Sequence, residues 1–215
     1  WKLYNYYPLP INNNESKGGK TDDDCLVPTY DILAFHVTPG DSGFSPHRDR
    51  QPEKDEIKKS FFKNDIPKYV TRWIALSNAT VSNSCLFFLP KGIDKGYMNG
   101  DEDVLLQSSS KKGKKGNLGM TMNGESKDNQ ITGVEPLHYA LSSKSAFQEI
   151  TPVPLKSSQS VLFSHRVIHW GSKNNTHFDH LEEEEDDDDD NESNERIAIS
   201  YTYSSPSFEK PYLKN

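Results

Sequence analysis

Gly43-Phe44-Ser45-Pro46-His47-Arg48-Asp49-Arg50 is the stretch on which the interpretation of this chain depends. In an extended segment, side chains two residues apart point the same way, so His47 and Asp49 project together from one face. Imidazole and carboxylate groups are both ligands of divalent transition metals. We therefore predict that this stretch carries two ligands of a metal site.

A third ligand is expected from Val167-Ile168-His169-Trp170-Gly171-Ser172. His169 would complete two imidazoles and one carboxylate on one face of a metal, the arrangement that leaves positions open on non-heme Fe(II). His165 lies four residues earlier and, in a strand, would share a face with His169. The residue pattern alone leaves both imidazoles as candidates.

The segments around these two stretches have the composition of strands. Seven short runs are rich in β-branched and aromatic residues, and turn-forming residues lie between them. These runs are 30–38, 69–76, 84–90, 153–155, 160–163, 166–169 and 196–203. Residues 51–67 are consistent with a loop or short helix, and 142–150 with a short helix. Many short strands with few helices predict an all-β fold, and the jelly roll is the version that carries a metal inside its mouth.

At 215 residues, the chain is long enough for one domain with a sizeable core, and we predict a single domain over residues 1–215. The sequence opens on Trp1 and stops without an obvious terminus, so we expect it to be part of a longer protein. Two polar stretches, about 91–133 and 176–195, are predicted to be long flexible insertions.

The charge and cysteine patterns exclude some classes of protein. The nine consecutive acidic residues Glu182 to Asp190 carry more negative charge than the net charge of the whole chain, −7. The rest of the sequence has no sustained basic face. We therefore predict no nucleic-acid partner. No apolar run approaches the roughly 20 residues of a membrane helix, so we predict no membrane span. Cys25 and Cys85 give no disulfide framework, which favours a reducing, intracellular compartment.

Four motifs occur in a fixed order from about residue 32 to 203. They are His47-Arg48-Asp49, then Trp73 to Thr80 leading into Asn83 to Pro90, then Val161 to Phe163 with His165 to Ser172, and finally Arg196 to Ser200. Together they resemble the phytanoyl-CoA dioxygenase family of Fe(II)/2-oxoglutarate oxygenases. His-x-Asp alone occurs by chance, and the order of the four motifs is what makes the resemblance specific.

The resemblance implies a double-stranded β-helix, that is, a jelly-roll core. It implies that Fe(II) is held by His47, Asp49 and His169, which favours His169 over His165. It also implies that Arg196 pairs with the distal carboxylate of 2-oxoglutarate. Trp73 aligns with a residue that lines the cosubstrate pocket, and Ser172 lies near a hydroxyl contact of the cosubstrate.

The resemblance further implies a dioxygenase that hydroxylates a small-molecule or lipid-like substrate with O₂ and converts 2-oxoglutarate to succinate and CO₂. Related halogenases have a small residue at the carboxylate position, so Asp49 favours hydroxylation. Two alternatives come from other classes. One is a non-catalytic jelly-roll binding module. The other is a cupin-type metalloenzyme that does not use 2-oxoglutarate, and Arg196 is the residue that discriminates it.

Overall fold

The computed structural model describes residues 25–101, 140–141, 144–176 and 194–213. Within these ranges the backbone forms seven strands and two short α-helices, joined by 3₁₀ turns. The strands are β1 Val27–Val37, β2 Tyr69–Ala75, β3 Leu86–Phe88, β4 Thr151–Val153, β5 Ser160–Ser164, β6 His169–Gly171 and β7 Arg196–Ser204. The helices are α1 Gly96–Asn99 and α2 Lys144–Gln148, and the 3₁₀ turns are Lys54–Glu56, Lys58–Ser60 and Lys63–Asp65. The predicted all-β, jelly-roll architecture is confirmed.

The strands form two antiparallel sheets. The larger has the order β1-β7-β2-β5, and the smaller has the order β4-β3-β6. In β7 the residues alternate between buried and more exposed positions, as a strand with one face on the core requires. The register places Trp73 opposite Ser200 on one side and Val161 on the other. The inward face of the larger sheet is therefore fixed by its side-chain alternation.

Residues from both sheets meet in the main apolar core. Trp73, Ala75, Phe163 and Ala198 come from the larger sheet, and Cys85 and Leu86 from the segment that enters the smaller one. Burial of such side chains contributes roughly 25 cal/mol per Å² of apolar surface removed from water. Trp73, Leu86 and Phe163 of this core also line a cavity between the sheets.

A smaller apolar cluster lies beneath the segment between β3 and β4. Ile57, Phe61 and Tyr97 are buried together, so the 3₁₀ turns pack against α1. Residues 91–101, at the start of the interval predicted as a flexible insertion (91–133), fold onto the domain. The remainder of that interval, 102–133, and residues 177–193 of the second expected insertion lie outside the described residues.

The approach to β6 corrects one sequence prediction. The strand expected at 166–169 begins only at His169, and His165 and Arg166 form a turn, with Val167 N donating to Ser164 O at 3.1 Å. The two imidazoles therefore do not share a strand face. Likewise β4 covers Thr151–Val153, two residues earlier than expected. No helix among the described residues is long and apolar enough to cross a membrane.

Candidate active site

Two distant segments lie side by side at one end of the cavity. His47 N donates to His169 O and His169 N donates to His47 O, both at 3.0 Å, so a reciprocal antiparallel bridge joins the loop after β1 to β6. A Cβ atom at Gly43 would overlap the carbonyl oxygen of Gly171, so glycine permits this close approach. The bridge brings both imidazoles to the same point.

His47, Asp49 and His169 converge around a common centre. Asp49 Oδ1 lies 3.4 Å from His169 Nε2 and 3.7 Å from His47 Nε2. One potential ligand atom from each residue lies within 4.8 Å of the others. The donor set consists of two nitrogens and one carboxylate oxygen, all contributed from one side. This set fits a non-heme Fe(II) ion that keeps further coordination positions open.

Backbone carbonyls orient both imidazoles. His47 Nδ1 lies 2.7 Å from Ser45 O, and His169 Nδ1 lies 3.1 Å from Val167 O. A carbonyl oxygen can only accept, so each Nδ1 carries the proton and each Nε2 presents a lone pair to the centre. This is the outer hydrogen bond that usually fixes a metal-binding histidine.

Electrostatics also favour the neutral form of His169, which is the form that binds a metal. Burial lowers the pKa of His169, and the neighbouring His47 acts in the same direction, while Asp49 opposes the shift. The imidazole is therefore neutral near pH 7, as a metal ligand must be. Asp49 Oδ2 accepts a hydrogen bond from Thr71 Oγ1, which leaves Oδ1 turned towards the two Nε2 atoms.

Arg196 is a cation buried at the other end of the cavity. Its side chain is 1% exposed, and its guanidinium carbon lies 5.6 Å from the Trp73 ring centroid and 5.9 Å from that of Phe35. Nη2 donates to Ser84 Oγ at 3.3 Å. Nε and Nη1 have no hydrogen-bond partner among the described residues.

The surroundings of Arg196 fit an anionic ligand. Burial lowers the pKa of Arg196 to about 10, although the nearby Cys85 thiol opposes the shift. A shift of this size corresponds to a cost of the order of 3 kcal/mol for the charged form. A carboxylate that faces Nη2 and either Nε or Nη1 would accept two hydrogen bonds and offset this cost, because only one Nη2 hydrogen is donated to Ser84. The residues present therefore fit a dicarboxylate whose far end reaches Arg196.

One cavity connects the two ends. Its volume is about 100 Å³, and its lining includes His47, Asp49, His169, Trp73 and Arg196. These are five of the six residues expected from the sequence. The sixth, Ser172, lies outside this lining, and its Oγ donates to Val81 O at 3.5 Å.

Sequence reasoning missed two hydroxyl groups at the site. Thr71 and Ser84 contact Asp49 and Arg196, respectively. Thr71 could have been found, because it lies two residues before Trp73 in a predicted strand and so shares its face. Ser84 gives no such signal, since it is placed by a backbone φ of +79° in a turn.

His165 lies away from the centre. Its Nδ1 donates to Tyr69 O at 3.0 Å, and its Nε2 lies 2.9 Å from Ser60 Oγ. It packs between the rings of Phe61 and Phe208. The structure thus assigns it to the core of the domain.

Comparisons with known proteins give a family and several distant structural likenesses. A family model described as Phytanoyl-CoA dioxygenase (PhyH) matches residues 16–180. A sequence search of curated proteins finds no match. The fold is similar to that of EvdMO1, with 16% identity over 85% of this chain and 28% of that chain and a TM-score of 0.46.

Two further structures come from nogalamycin biosynthesis. The non-heme alpha ketoglutarate dependent carbocyclase SnoK is 16% identical over 85% of this chain and 51% of its own, with a TM-score of 0.44. The epimerase SnoN, solved in complex with Fe3+, alpha ketoglutarate and nogalamycin RO, is 15% identical over 85% of this chain and 52% of its own, with a TM-score of 0.41. This chain therefore spans about half or less of the length of these structures.

Proposed function

This chain belongs to the phytanoyl-CoA dioxygenase family, and from that membership we propose that it is an Fe(II)- and 2-oxoglutarate-dependent dioxygenase that hydroxylates a small-molecule or lipid-like substrate. The family uses Fe(II) and 2-oxoglutarate. One observation carries the proposal for this chain. The His47, Asp49 and His169 ligand atoms, within 4.8 Å of one another, share a cavity with the buried guanidinium of Arg196.

Each residue has a defined part in this proposal. His47 Nε2, His169 Nε2 and Asp49 Oδ1 would hold Fe(II). Arg196 would bind the distal carboxylate of 2-oxoglutarate through its guanidinium, and Trp73 would cover the guanidinium and exclude water. When bound, Fe(II) and 2-oxoglutarate supply the oxidising chemistry, in which O₂ and 2-oxoglutarate give succinate, CO₂ and a hydroxyl group on the substrate.

The cavity wall supports the proposed substrate class. Leu33, Phe44, Phe163 and Trp170 line it beside the metal ligands, and Leu33 and Phe44 are more than half exposed. Such apolar side chains favour a substrate that places a hydrocarbon segment near the metal, since burial of apolar surface drives its binding. Hydroxylation is supported by Asp49, because a carboxylate occupies the position that a halide would need.

Anaerobic spectroscopy tests the proposal. Addition of Fe(II) and then 2-oxoglutarate to the metal-free chain is expected to produce a visible metal-to-ligand charge-transfer band. Succinate release would then be measured against a panel of small molecules and fatty acyl compounds. Asp49→Gly should abolish both signals, while Asp55→Gly, on an exposed 3₁₀ turn, should keep both.

The same experiment separates the alternatives. Metal binding without the band would indicate a metalloenzyme that does not use 2-oxoglutarate. Absence of metal binding would indicate a jelly-roll binding module. Either result would overturn the proposed dioxygenase.

A further inference from the structure

Arg48 lies between two proposed metal ligands but points away from the cavity. Its side chain is fully buried and uses all five N–H donors. Nη1 and Nη2 donate to the carboxylate of Asp94 at 2.6 and 2.9 Å. Nε and Nη2 donate to that of Asp101 at 3.0 and 2.7 Å, and the remaining Nη1 hydrogen is donated to Arg166 O. No donor of this guanidinium is left for solvent.

Arg166 is a second buried guanidinium with complementary contacts. Its Nε donates to Tyr97 O at 3.1 Å and its Nη2 to Gly96 O at 2.8 Å, both in α1. Its Nη1 donates to Arg50 O at 3.3 Å. Arg166 thus ties α1 and the chain beside Asp49 to the turn that precedes His169.

Together these contacts form a cross-brace, which we define as Arg48, Asp94, Asp101 and Arg166. Arg48 reaches from the His47–Asp49 segment to the backbone of Arg166, and Arg166 reaches back to the backbone of Arg50. The two segments that carry the proposed ligands are therefore linked in both directions behind the cavity. Residues 94–101 supply the carboxylates and carbonyls that hold both guanidinium groups.

The charges of the cross-brace are balanced. Burial opposes the charge on Arg48, but the hydrogen bonds that Arg48 donates to Asp94 and Asp101 outweigh this effect and raise its pKa. Burial and the neighbouring Arg48 lower the pKa of Arg166 to about 10. Buried ionic groups of this kind often contribute little net stability compared with apolar packing, whereas they do fix relative positions. Their contacts to both ligand-bearing segments therefore point to a role in geometry more than in stability.

The packing around Arg48 leaves little freedom to move. A Cβ atom at Gly96 would overlap Asp101 Oδ1 and lie 2.8 Å from Arg48 Nη2. Glycine therefore lets α1 approach the guanidinium closely. The planar, forked shape of arginine is required as well, because a lysine ammonium could reach only some of these acceptors.

We propose that Arg48 is a positioning residue whose cross-brace fixes the distance between His169 and the His47/Asp49 pair, and thereby sets metal affinity. The inference rests on the proposed function in one respect, since it requires a metal at these three residues. It does not require 2-oxoglutarate or turnover.

Cobalt(II) titration of the metal-free chain tests this inference. Arg48→Lys keeps the charge but loses the fork, so the Kd for Co(II) should rise by about 10-fold or more, as is typical for residues that orient metal ligands. The visible d–d bands of bound Co(II) should also change in position or intensity. Arg72→Lys is the matched control. Arg72 is exposed on β2, and its Nε makes one long hydrogen bond, to Ser160 Oγ at 3.4 Å.

A second control separates positioning from general destabilisation. Leu155→Ala removes apolar packing from the main core and should lower the Tm while leaving the Co(II) Kd and spectrum within twofold of wild type. If Arg48→Lys does not fold, Asp101→Asn is tested in its place. This substitution weakens one of the two carboxylate contacts of Arg48, and Asp101 is 18% exposed, so the change is easier to accommodate.

The outcomes are distinguishable. A changed Co(II) spectrum and weaker binding in the Arg48 or Asp101 variant, but not in Leu155→Ala, supports the cross-brace. Wild-type binding and spectrum in those variants, or equal changes in Leu155→Ala, overturn it. If the wild-type chain binds no Co(II), the metal site of the proposed function fails, and the inference fails with it.

Discussion

At the residue scale, the surroundings of Arg196 indicate what kind of ligand the cavity fits. Its guanidinium lies between two aromatic rings, and two of its nitrogens have no hydrogen-bond partner among the described residues. A buried cation without a counter-ion is unfavourable in the absence of ligand. The proposed role of Arg196 in binding a carboxylate therefore carries an expected cost in stability.

Replacement of Arg196 by Met should affect binding and stability in opposite directions. The Kd or KM for 2-oxoglutarate should rise by about 100-fold, because a charge-assisted bidentate pair is lost. The free energy of unfolding of the metal-free chain should stay equal or rise by about 1 to 3 kcal/mol, because an uncompensated buried charge is removed. Anaerobic 2-oxoglutarate titration and urea denaturation measure the two quantities.

Arg196→Lys is the companion variant. It keeps the charge without the fork, so 2-oxoglutarate binding should be intermediate between wild type and Arg196→Met. Unchanged binding in Arg196→Met would remove Arg196 from the site. A loss of stability in that variant would show that its charge is compensated in the free chain.

At the scale of elements, the turn between β5 and β6 carries a buried neutral histidine. Burial, opposed by a hydrogen bond to Tyr69 and reinforced by nearby arginines, lowers the pKa of His165 to about 3. In the unfolded chain the same group would titrate near 6.5. Below that pH the unfolded state binds the proton that the folded state excludes, so stability is full above about pH 6.5 and is lost as the pH falls towards 3.

Wild-type chain without metal should therefore lose up to about 1.4 kcal/mol of unfolding free energy per pH unit through this one group. His165→Asn cannot gain a charge and should show a shallower decline between pH 6.5 and 4. Urea denaturation at several pH values checks the difference. His169 lowers stability at acid pH in the wild type and in His165→Asn alike. If the two plots of unfolding free energy against pH are parallel, the role assigned to His165 is wrong.

The elements also show where sequence reasoning succeeds. β2 and β7 were predicted almost to the residue, because both are continuous runs of seven or more residues rich in β-branched and aromatic side chains. β6 was predicted three residues too early, because Val167 and Ile168 are typical strand residues. The hydrogen bonds that Arg166 makes to α1 hold the turn instead, and they join residues about 70 positions apart. No local pattern reveals such contacts.

At the scale of the whole molecule, the described residues that flank the acidic stretch are bonded to one another. Asn174 Nδ2 donates to Val37 O at 3.3 Å and to Asn194 O at 2.9 Å, so the residues on either side of 177–193 are held together without it. Deletion of Glu182 to Asp190 should therefore leave Fe(II) and 2-oxoglutarate affinities within about twofold of wild type, because a change in the length of a connecting segment costs little free energy.

The same titrations check this deletion. A variant that replaces the run with Gly and Ser residues of equal number separates loss of charge from loss of length. Loss of iron binding in the deletion alone would mean that the stretch has a role in forming the site.

The candidate site was largely predictable as a set of residues, but its supports were not. His47 and Asp49 are two residues apart and so share a face, whereas His169 and Arg196 came from the order of family motifs. Arg48 gave no signal of its own, because Asp94 and Asp101 lie 46 and 53 residues away in a stretch that reads as a loop. Long-range polar contacts between irregular segments are the part of the site that only coordinates reveal.

The reciprocal bridge between His47 and His169 has a consequence for how this chain would take up its ion. Both amides are bonded within the protein and both rings are held by backbone carbonyls, so the conformational entropy of ordering these side chains is lost when the polypeptide folds. Association with the ion then requires little rearrangement. Such preorganisation would let the proposed three-ligand centre lose and regain an ion while the backbone keeps its shape.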